Sequence, residues 1–230
     1  MLLKQINGNV LNLSDIPGFD EFAARPENYV EFILKEINNN HYANFAKNGD
    51  IAIDAGANIG LVTLYLAPAY KKIHAIEPTP EYINLMKNAL SCFQINNVLT
   101  YQYALAPRDE IVAMRSTQGN GTMNTFVKAG EVAFNATGMT LKTFMEQADI
   151  KSIDFMKMDL EGAEMEIIPE ENFFLACSSI KSLYIEIHDL LSGTLRDTWK
   201  FTNIIMGHLI RYGFKVSIYA KDKLLAERVS

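Results

Sequence analysis

From Asp50 onward, short apolar runs alternate with amphipathic segments, and this alternation limits the fold more than any other feature of the chain. Residues 51–55 read as a buried strand, and Leu61, Leu64 and Tyr65 mark the inner face of a helix after it. A second strand is expected over 72–77. Thr79-Pro80 then opens a helix with an N-cap residue and a proline at its first position, and Tyr82, Leu85, Met86, Ala89 and Leu90 form its apolar stripe. A third strand is expected over 98–103. Strand and helix in strict turn mean an α/β fold on a parallel sheet.

The flanks are less regular. Asn7-Gly8 between alternating apolar residues is a hairpin signal, and Val30, Ile33, Leu34 and Ile37 recur at helical spacing from Glu27. Residues 1–48 are therefore expected to form a hairpin-plus-helix extension on a main domain of 49–230. Residues 106–138, with the flexible run at 118–122, read as a loop-rich insertion. A strand is expected over 111–114 within it, and the run 117–126 has the hydroxyls and amides of a lid or acceptor contact. Beyond it a helix is expected at 140–148, strands at 153–159 and 182–188, and a long helix from about Thr194 to Tyr212. Phe214–Tyr219 and Leu224–Val229 are joined by three residues, too few for a parallel crossover, so they form an antiparallel hairpin.

Composition narrows the class of function. With 49% hydrophobic and 21% charged residues the chain can build a core, and its net charge of −6 disfavours a protein that lives by neutralising phosphates. Cys92 and Cys177 have no metal-ligand spacing and are expected as reduced thiols. The first residues lack a basic region followed by an apolar run, and no stretch reaches the ~18 apolar residues of a membrane span. The expectation is a cytoplasmic protein with no membrane and no nucleic-acid partner.

The sharpest local signal is the turn Asp54-Ala-Gly56-Ala-Asn58-Ile-Gly60, where the first core strand enters its helix. Glycine there lets backbone approach a ligand, and ligands of open α/β sheets bind beyond the carboxyl ends of the strands. Glu77 ends the second strand, where a carboxylate can accept from both hydroxyls of a ribose, and Asp54 could hold an ammonium or its water. A dinucleotide site would prefer Gly-x-Gly-x-x-Gly, but Asp54 and Ile59 break that spacing. The mismatch favours S-adenosylmethionine, which brings a carboxylate and a ribose without phosphate. Asp159 ends the fourth core strand and should face the methyl, Glu161 follows two residues on, and His188 ends the adjacent strand as a candidate general base. A divalent ion on Asp159, His188 and Asp189 is the less favoured reading, and no metal is assigned.

The runs IDAGANIG, HAIEPTPEYINLMKNAL, TLKTFMEQADIKSIDFMKMDLEGAEMEII and YIEIH resemble the FkbM-type family of class I methyltransferases over roughly residues 50–190. The resemblance implies a Rossmann-like, doubly wound sheet of seven strands, mostly parallel with an antiparallel C-terminal hairpin. It also implies S-adenosylmethionine as donor, S-adenosylhomocysteine as product, and O-methylation of a hydroxyl on a sugar, glycan or polyketide-like small molecule. Carried over by position, Asp54, Gly56, Asn58 and Gly60 flank the methionine end, Glu77 the ribose, and Tyr103 and Ala104 the adenine. Lys142 and the run Pro169-Glu170-Glu171 depart from the family's usual residues, and both lie off the donor site. The rival readings are a non-catalytic module that binds S-adenosylmethionine and, more weakly, a nicotinamide-dependent oxidoreductase built on Tyr219 and Lys223.

Overall fold

The computed structural model describes residues 1–25, 30–39, 42, 47–116, 124–125, 132–188 and 198–229. An N-terminal hairpin pairs β1 (Leu2–Lys4) with β2 (Val10–Asn12), and the short helix α1 (Phe19–Ala23) and α2 (Val30–Asn38) follow. The core then begins with β3 (Gly49–Ala55), α3 (Leu61–Leu66), β4 (Tyr70–Ile76), α4 (Pro80–Cys92) and β5 (Val98–Tyr101). A second sheet is built from β6 (Ala104–Leu105), β7 (Ile111–Ser116), β8 (Asn124–Thr125) and β9 (Val132–Met139). The chain returns to the main sheet through α5 (Leu141–Gln147), β10 (Ile153–Asp159), α6 (Glu164–Ile167), α7 (Glu171–Cys177) and β11 (Ile180–Glu186). It ends with α8 (Thr198–Arg211), β12 (Phe214–Ala220) and β13 (Lys223–Arg228).

The main sheet has seven strands in the order β12-β13-β11-β10-β3-β4-β5, with β13 antiparallel to both of its neighbours and the rest parallel. Both faces are covered. On one, α3, α4 and the N-terminal elements pack through Leu3, Leu13, Phe19, Tyr65 and Met86. On the other, α5 to α8 pack through Phe144, Ile167, Phe173 and Leu209. Strands buried on both faces read as nearly continuous apolar runs rather than alternating ones, as 51–53 and 183–185 do. The strand order changes direction between β10-β3 and β3-β4, so the carboxyl ends of these strands open a crevice at the switch point.

The N-terminal elements share that core. Leu3, Leu13 and Phe19 are essentially inaccessible, and the Gln5 side chain donates to the Leu64 carbonyl of α3 at 2.9 Å. The expected hairpin is present, and α2 covers Val30, Ile33, Leu34 and Ile37, while its expected start at Glu27 lies outside the described residues. Three differences are instructive. The segment expected as a loop-rich insertion carries antiparallel strands, β7 against β9 in register from Ile111↔Thr137 to Met114↔Phe134. Residues 117–123 and 126–131, the body of the expected lid, lie outside the described residues. The expected third strand stops at Tyr101, because Ala104 and Leu105 leave the main sheet to pair with β9. Finally, β11 ends at Glu186, so His188 stands just past the strand rather than in it.

Candidate active site

The glycine turn after β3 is fixed by backbone geometry. Gly56 has φ +75°, and its N–H and that of Ala57 both donate to the Ile76 carbonyl at 3.0 Å, which ties β3 to the end of β4. A Cβ on Gly56 would lie 1.8 Å from the Asp159 carbonyl oxygen, so only glycine lets the turn touch the end of β10. Gly60, at φ +87°, begins α3, and a Cβ there would meet Met86 Cγ at 2.5 Å. Asn58 also takes a left-handed conformation, with φ +52°. Its side-chain oxygen accepts from the Ile59 N–H at 2.8 Å.

Glu77 is buried just beyond β4, yet it lines the crevice. Its Oε2 accepts from the Asn58 N–H at 3.0 Å and its Oε1 from the Thr79 N–H at 2.9 Å. Burial pushes its carboxyl up, against the hydrogen bonds from Thr79 and Asn58. Thr79 holds the N-cap position of α4 but its hydroxyl makes no capping bond; it serves Glu77 instead.

The crevice is a cavity of about 310 Å³, within the range of small-molecule sites. Gly56, Asn58, Glu77 and Ala104 line it, as do Asp159, Glu161 and His188. Asp54, Gly60 and Tyr103 are not among its lining residues. Asp54 is wholly buried beneath it, where its Oδ2 accepts from the Thr63 hydroxyl at 2.6 Å and its Oδ1 stands 3.7 Å from Lys157 Nζ. Burial pushes the Asp54 carboxyl up, and Lys157 and Thr63 counter this only in part. Tyr103 stacks on Tyr101 at a ring separation of 6.4 Å. Lys142 pairs with Glu146 at 2.8 Å on α5, and neither it nor Pro169 lines the cavity.

The acidic end is crowded. His188 Nδ1 lies 3.6 Å from Asp159 Oδ1, and its Nε2 lies 3.9 Å from Glu161 Oε2 and 4.0 Å from Glu186 Oε1. Burial alone would lower the His188 pKa, but Asp159, Glu161, Glu164 and Glu186 together carry it up to about 9. The ring is therefore an imidazolium at neutral pH, which differs from the neutral imidazole expected of a histidine base. Burial, reinforced by Asp159 and Glu186, pushes Glu161 up to about 7 despite His188. Glu186 is also pushed up to about 7 by burial and Asp159. Asp159 goes the other way. Burial would raise it, but Lys157 and His188 outweigh burial and hold it below its ordinary value.

Glu161 (φ +54°) and Gly162 (φ +98°) turn the chain after β10, and the Glu164 carboxylate holds that turn by accepting from the Leu160 and Gly162 N–H groups. Ligand-capable atoms of Asp159, Glu161 and His188 come within 4.8 Å of one another, a spacing wide enough for a divalent ion. These three side chains differ from the expected metal set only in Glu161 standing in place of Asp189. Asp189, the other expected ligand, lies outside the described residues.

Sequence reasoning missed several lining residues. Lys157 and Glu186 stand at the acidic end, Pro78 and Tyr82 beside Glu77, and Phe22, Val30, Phe32, Ile33 and Glu36 come from the N-terminal helices. A signal for two of them was present: a lysine in the apolar strand FMKM, and a glutamate in YIEI, are charges that a strand covered on both faces must pair. Cys92 and Cys177 are free, and among the described residues no helix is long and apolar enough to cross a membrane.

Comparison with known proteins points the same way. The family profile of the methyltransferase FkbM domain matches residues 54–216. Methyltransferase 1 of Beauveria bassiana is 26% identical over 164 residues, 60% of this chain and 66% of the relative's length. Methyltransferase sdnD of Sordaria araneosa is 28% identical over 211 residues, 76% of each chain. Among solved structures, the precorrin-6y C5,15-methyltransferase of Geobacter metallireducens superposes with a TM-score of 0.52 at 14% identity, over 93% of this chain and 98% of its own. A Streptococcus mutans protein assigned as a methyltransferase and solved with S-adenosylhomocysteine gives 0.52 at 12% identity, over 85% and 97%. At these identities the likeness is one of fold.

Proposed function

The chain belongs to the FkbM methyltransferase family, and we propose that it transfers the methyl group of S-adenosylmethionine to a hydroxyl oxygen of a small molecule, either a sugar or glycan or a polyketide-like compound. The observation that carries this reading is the union of two halves in one cavity. A glycine turn with a buried, two-point-anchored Glu77 sits at one end, and Asp159, Glu161 and His188 crowd the other.

The donor site fits its ligand. A carboxylate has about four lone-pair sites, and Glu77 spends two on backbone amides and a third on the Thr79 hydroxyl, which leaves one for a ribose hydroxyl. Gly56 and Asn58 lie along the methionine portion, and Ala104 borders the adenine. Asp54 acts from below, through Lys157 and Thr63, and Gly60 sets the helix start rather than touching ligand. S-adenosylmethionine supplies an already activated methyl on a sulfonium.

What remains for the chain is to hold the acceptor oxygen in line and to take its proton. Alignment is largely a proximity effect. We assign proton acceptance to Glu161, because its carboxyl titrates at about 7, near working pH, while His188 enters as an imidazolium. In this reading Asp159 faces the sulfonium and His188 holds Asp159 and Glu161 apart from one another's charge.

Calorimetric titration with S-adenosylmethionine, S-adenosylhomocysteine and NAD tests the donor half. Micromolar binding of the first two without NAD is expected, and binding of NAD alone would overturn the reading. Incubation with labelled donor and a panel of hydroxylated sugars and polyketides then tests turnover. Donor binding with no methylation of any class of acceptor would favour the non-catalytic binding module.

A further inference from the structure

Among the described residues, Lys157 is the cation in the floor of the cavity that sequence reasoning gave no role. The register places it opposite Asp54 of β3 on one side and Tyr184 of β11 on the other, in the middle of a sheet covered on both faces. Its side chain is 4% exposed. Such a position normally takes an apolar residue, since an ionised amine out of water costs several kcal/mol unless it is paired.

The pairing is specific. Nζ donates to the Gly56 carbonyl at 3.0 Å, forms an ion pair with Asp159 Oδ2 at 3.0 Å, and stands 3.7 Å from Asp54 Oδ1. One ammonium thus touches the donor turn, the carboxylate at the chemical end and the carboxylate beneath the floor. By taking Oδ2 of Asp159 it also fixes which oxygen of that carboxylate is left. Oδ1 is buried, makes no hydrogen bond, and is the atom beside His188. Lysine is long enough to reach from mid-strand to the turn, where it meets the Gly56 carbonyl and Asp159 at hydrogen-bond distance and Asp54 at ion-pair distance.

We propose that Lys157 is a positioning residue that clamps the donor turn to the acidic end of the cavity and sets the net charge that the donor's sulfonium meets. The inference rests on the reading that Asp159 faces the transferred methyl. Two buried carboxylates beside a sulfonium would hold the substrate more tightly than the transition state, in which that positive charge is being lost. Interactions that stabilise only the ground state do not speed the chemical step. Lys157 offsets one of the two charges, so Asp54, Asp159 and Lys157 together carry a single net negative charge instead of two.

The test compares affinity for S-adenosylmethionine, a cation at sulfur, with affinity for S-adenosylhomocysteine, neutral there, by calorimetry at pH 8.5. No acceptor is needed. In Lys157→Met the ratio shifts toward S-adenosylmethionine on the order of tenfold, the effect of one unit charge about 10 Å away at an effective dielectric near 20. Adding Asp54→Asn to Lys157→Met removes one anion with the cation and returns the ratio toward wild type. That second variant also relieves the stranded buried carboxylate, so it keeps the test open if the single variant folds poorly. Equal weakening of both ligands in both variants would overturn the charge-setting role and leave Lys157 as packing alone. Asp159→Asn separates this inference from the reading beneath it. A shift toward S-adenosylhomocysteine there supports Asp159 facing the sulfonium. An unchanged ratio in Asp159→Asn defeats that reading itself, whatever Lys157→Met does.

Discussion

Replacement of Glu77 gives the most quantitative test of the donor site. Its two oxygens accept one backbone N–H each, at 3.0 and 2.9 Å, and the residue is 6% exposed. The Thr79 hydroxyl takes a third lone pair, and in the proposed bound state the remaining one accepts from a ribose hydroxyl. A hydrogen bond to a charged group contributes about 1.5–3 kcal/mol, so Glu77→Ala should weaken S-adenosylhomocysteine by about that much. Every 1.4 kcal/mol is tenfold, which makes the loss roughly 10–10²-fold. Glu77→Gln keeps one accepting oxygen but turns an amide NH₂ toward a backbone N–H, so its loss should fall between wild type and Ala. Calorimetric titration of the three proteins measures this, with a melting curve to show that each is folded. A folded Glu77→Ala protein that binds S-adenosylhomocysteine within about threefold of wild type would refute the ribose assignment, because a charged hydrogen bond cannot vanish at so small a cost.

Four further outcomes are expected. Gly56→Ala should unfold the protein or abolish donor binding, since its Cβ would sit 1.8 Å from the Asp159 carbonyl; a stable variant with wild-type affinity would show that the turn can move away from β10. Glu161→Gln should leave affinity for S-adenosylhomocysteine unchanged and lower turnover by about 10²–10⁴-fold, the usual worth of a general base; equal turnover would remove Glu161 from proton transfer. Thr140 caps α5 by accepting from the Thr143 N–H at 3.1 Å, so Thr140→Ala should cost about 1 kcal/mol in chemical denaturation, and an unchanged midpoint would contradict the cap. Melting temperature should fall between pH 7 and pH 9. His188 is raised to about 9, so in this window the folded protein binds more protons than the unfolded chain, and stability present below the unfolded pKa is lost as pH rises through the folded one. Glu161, Glu164 and Glu186, raised to about 7, add to the fall at its lower edge, whereas a rising curve would contradict the cationic His188.

The sequence disclosed the main sheet because its strands have an unusual signature. A strand sandwiched between helices on both faces must be apolar throughout, so 51–55 and 153–159 stand out from the amphipathic helices between them. The expected bounds of β10 match the structure, and the hairpin of β12 and β13 followed from the shortness of its link. The second sheet was hidden for the opposite reason. Its strand β9 runs VAFNATGM, with Val132, Ala133, Asn135 and Thr137 exposed, and nothing but Phe134, Ala136, Gly138 and Met139 faces inward. A half-wet strand containing asparagine and glycine has the composition of a loop, and its pairing with β7 and β6 makes it a strand. The helices α1, α6 and α7 have 5, 4 and 7 residues, too few for a 3.6-residue period to declare itself.

The site was legible to the extent that chemistry is local in sequence. Gly56, Asn58 and Glu77 could be placed because turn and strand end are fixed by their own neighbours. Asp54 shows where that logic fails: at a strand end a carboxylate points into the crevice or beneath it, and strand periodicity alone did not show that the Thr63 hydroxyl one turn into α3 would receive it below. The charges at the acidic end depend still more on what lies far away in the chain. Glu36 of α2 meets Lys223 at 2.6 Å, and Lys223 reaches Glu186 at 3.4 Å, so a residue from the N-terminal helix and one from the last strand together bear on the carboxylate beside His188. His188 shows the consequence. A lone histidine near pH 7 is equally an acid or a base. Four carboxylates, delivered by β10, the turn after it, the start of α6 and β11, decide which, and no window of sequence around residue 188 contains more than one of the elements that do so. The protonation of this site is therefore a property of the assembled sheet ends, and the variants that will reveal it are those that change a charge without changing the fold.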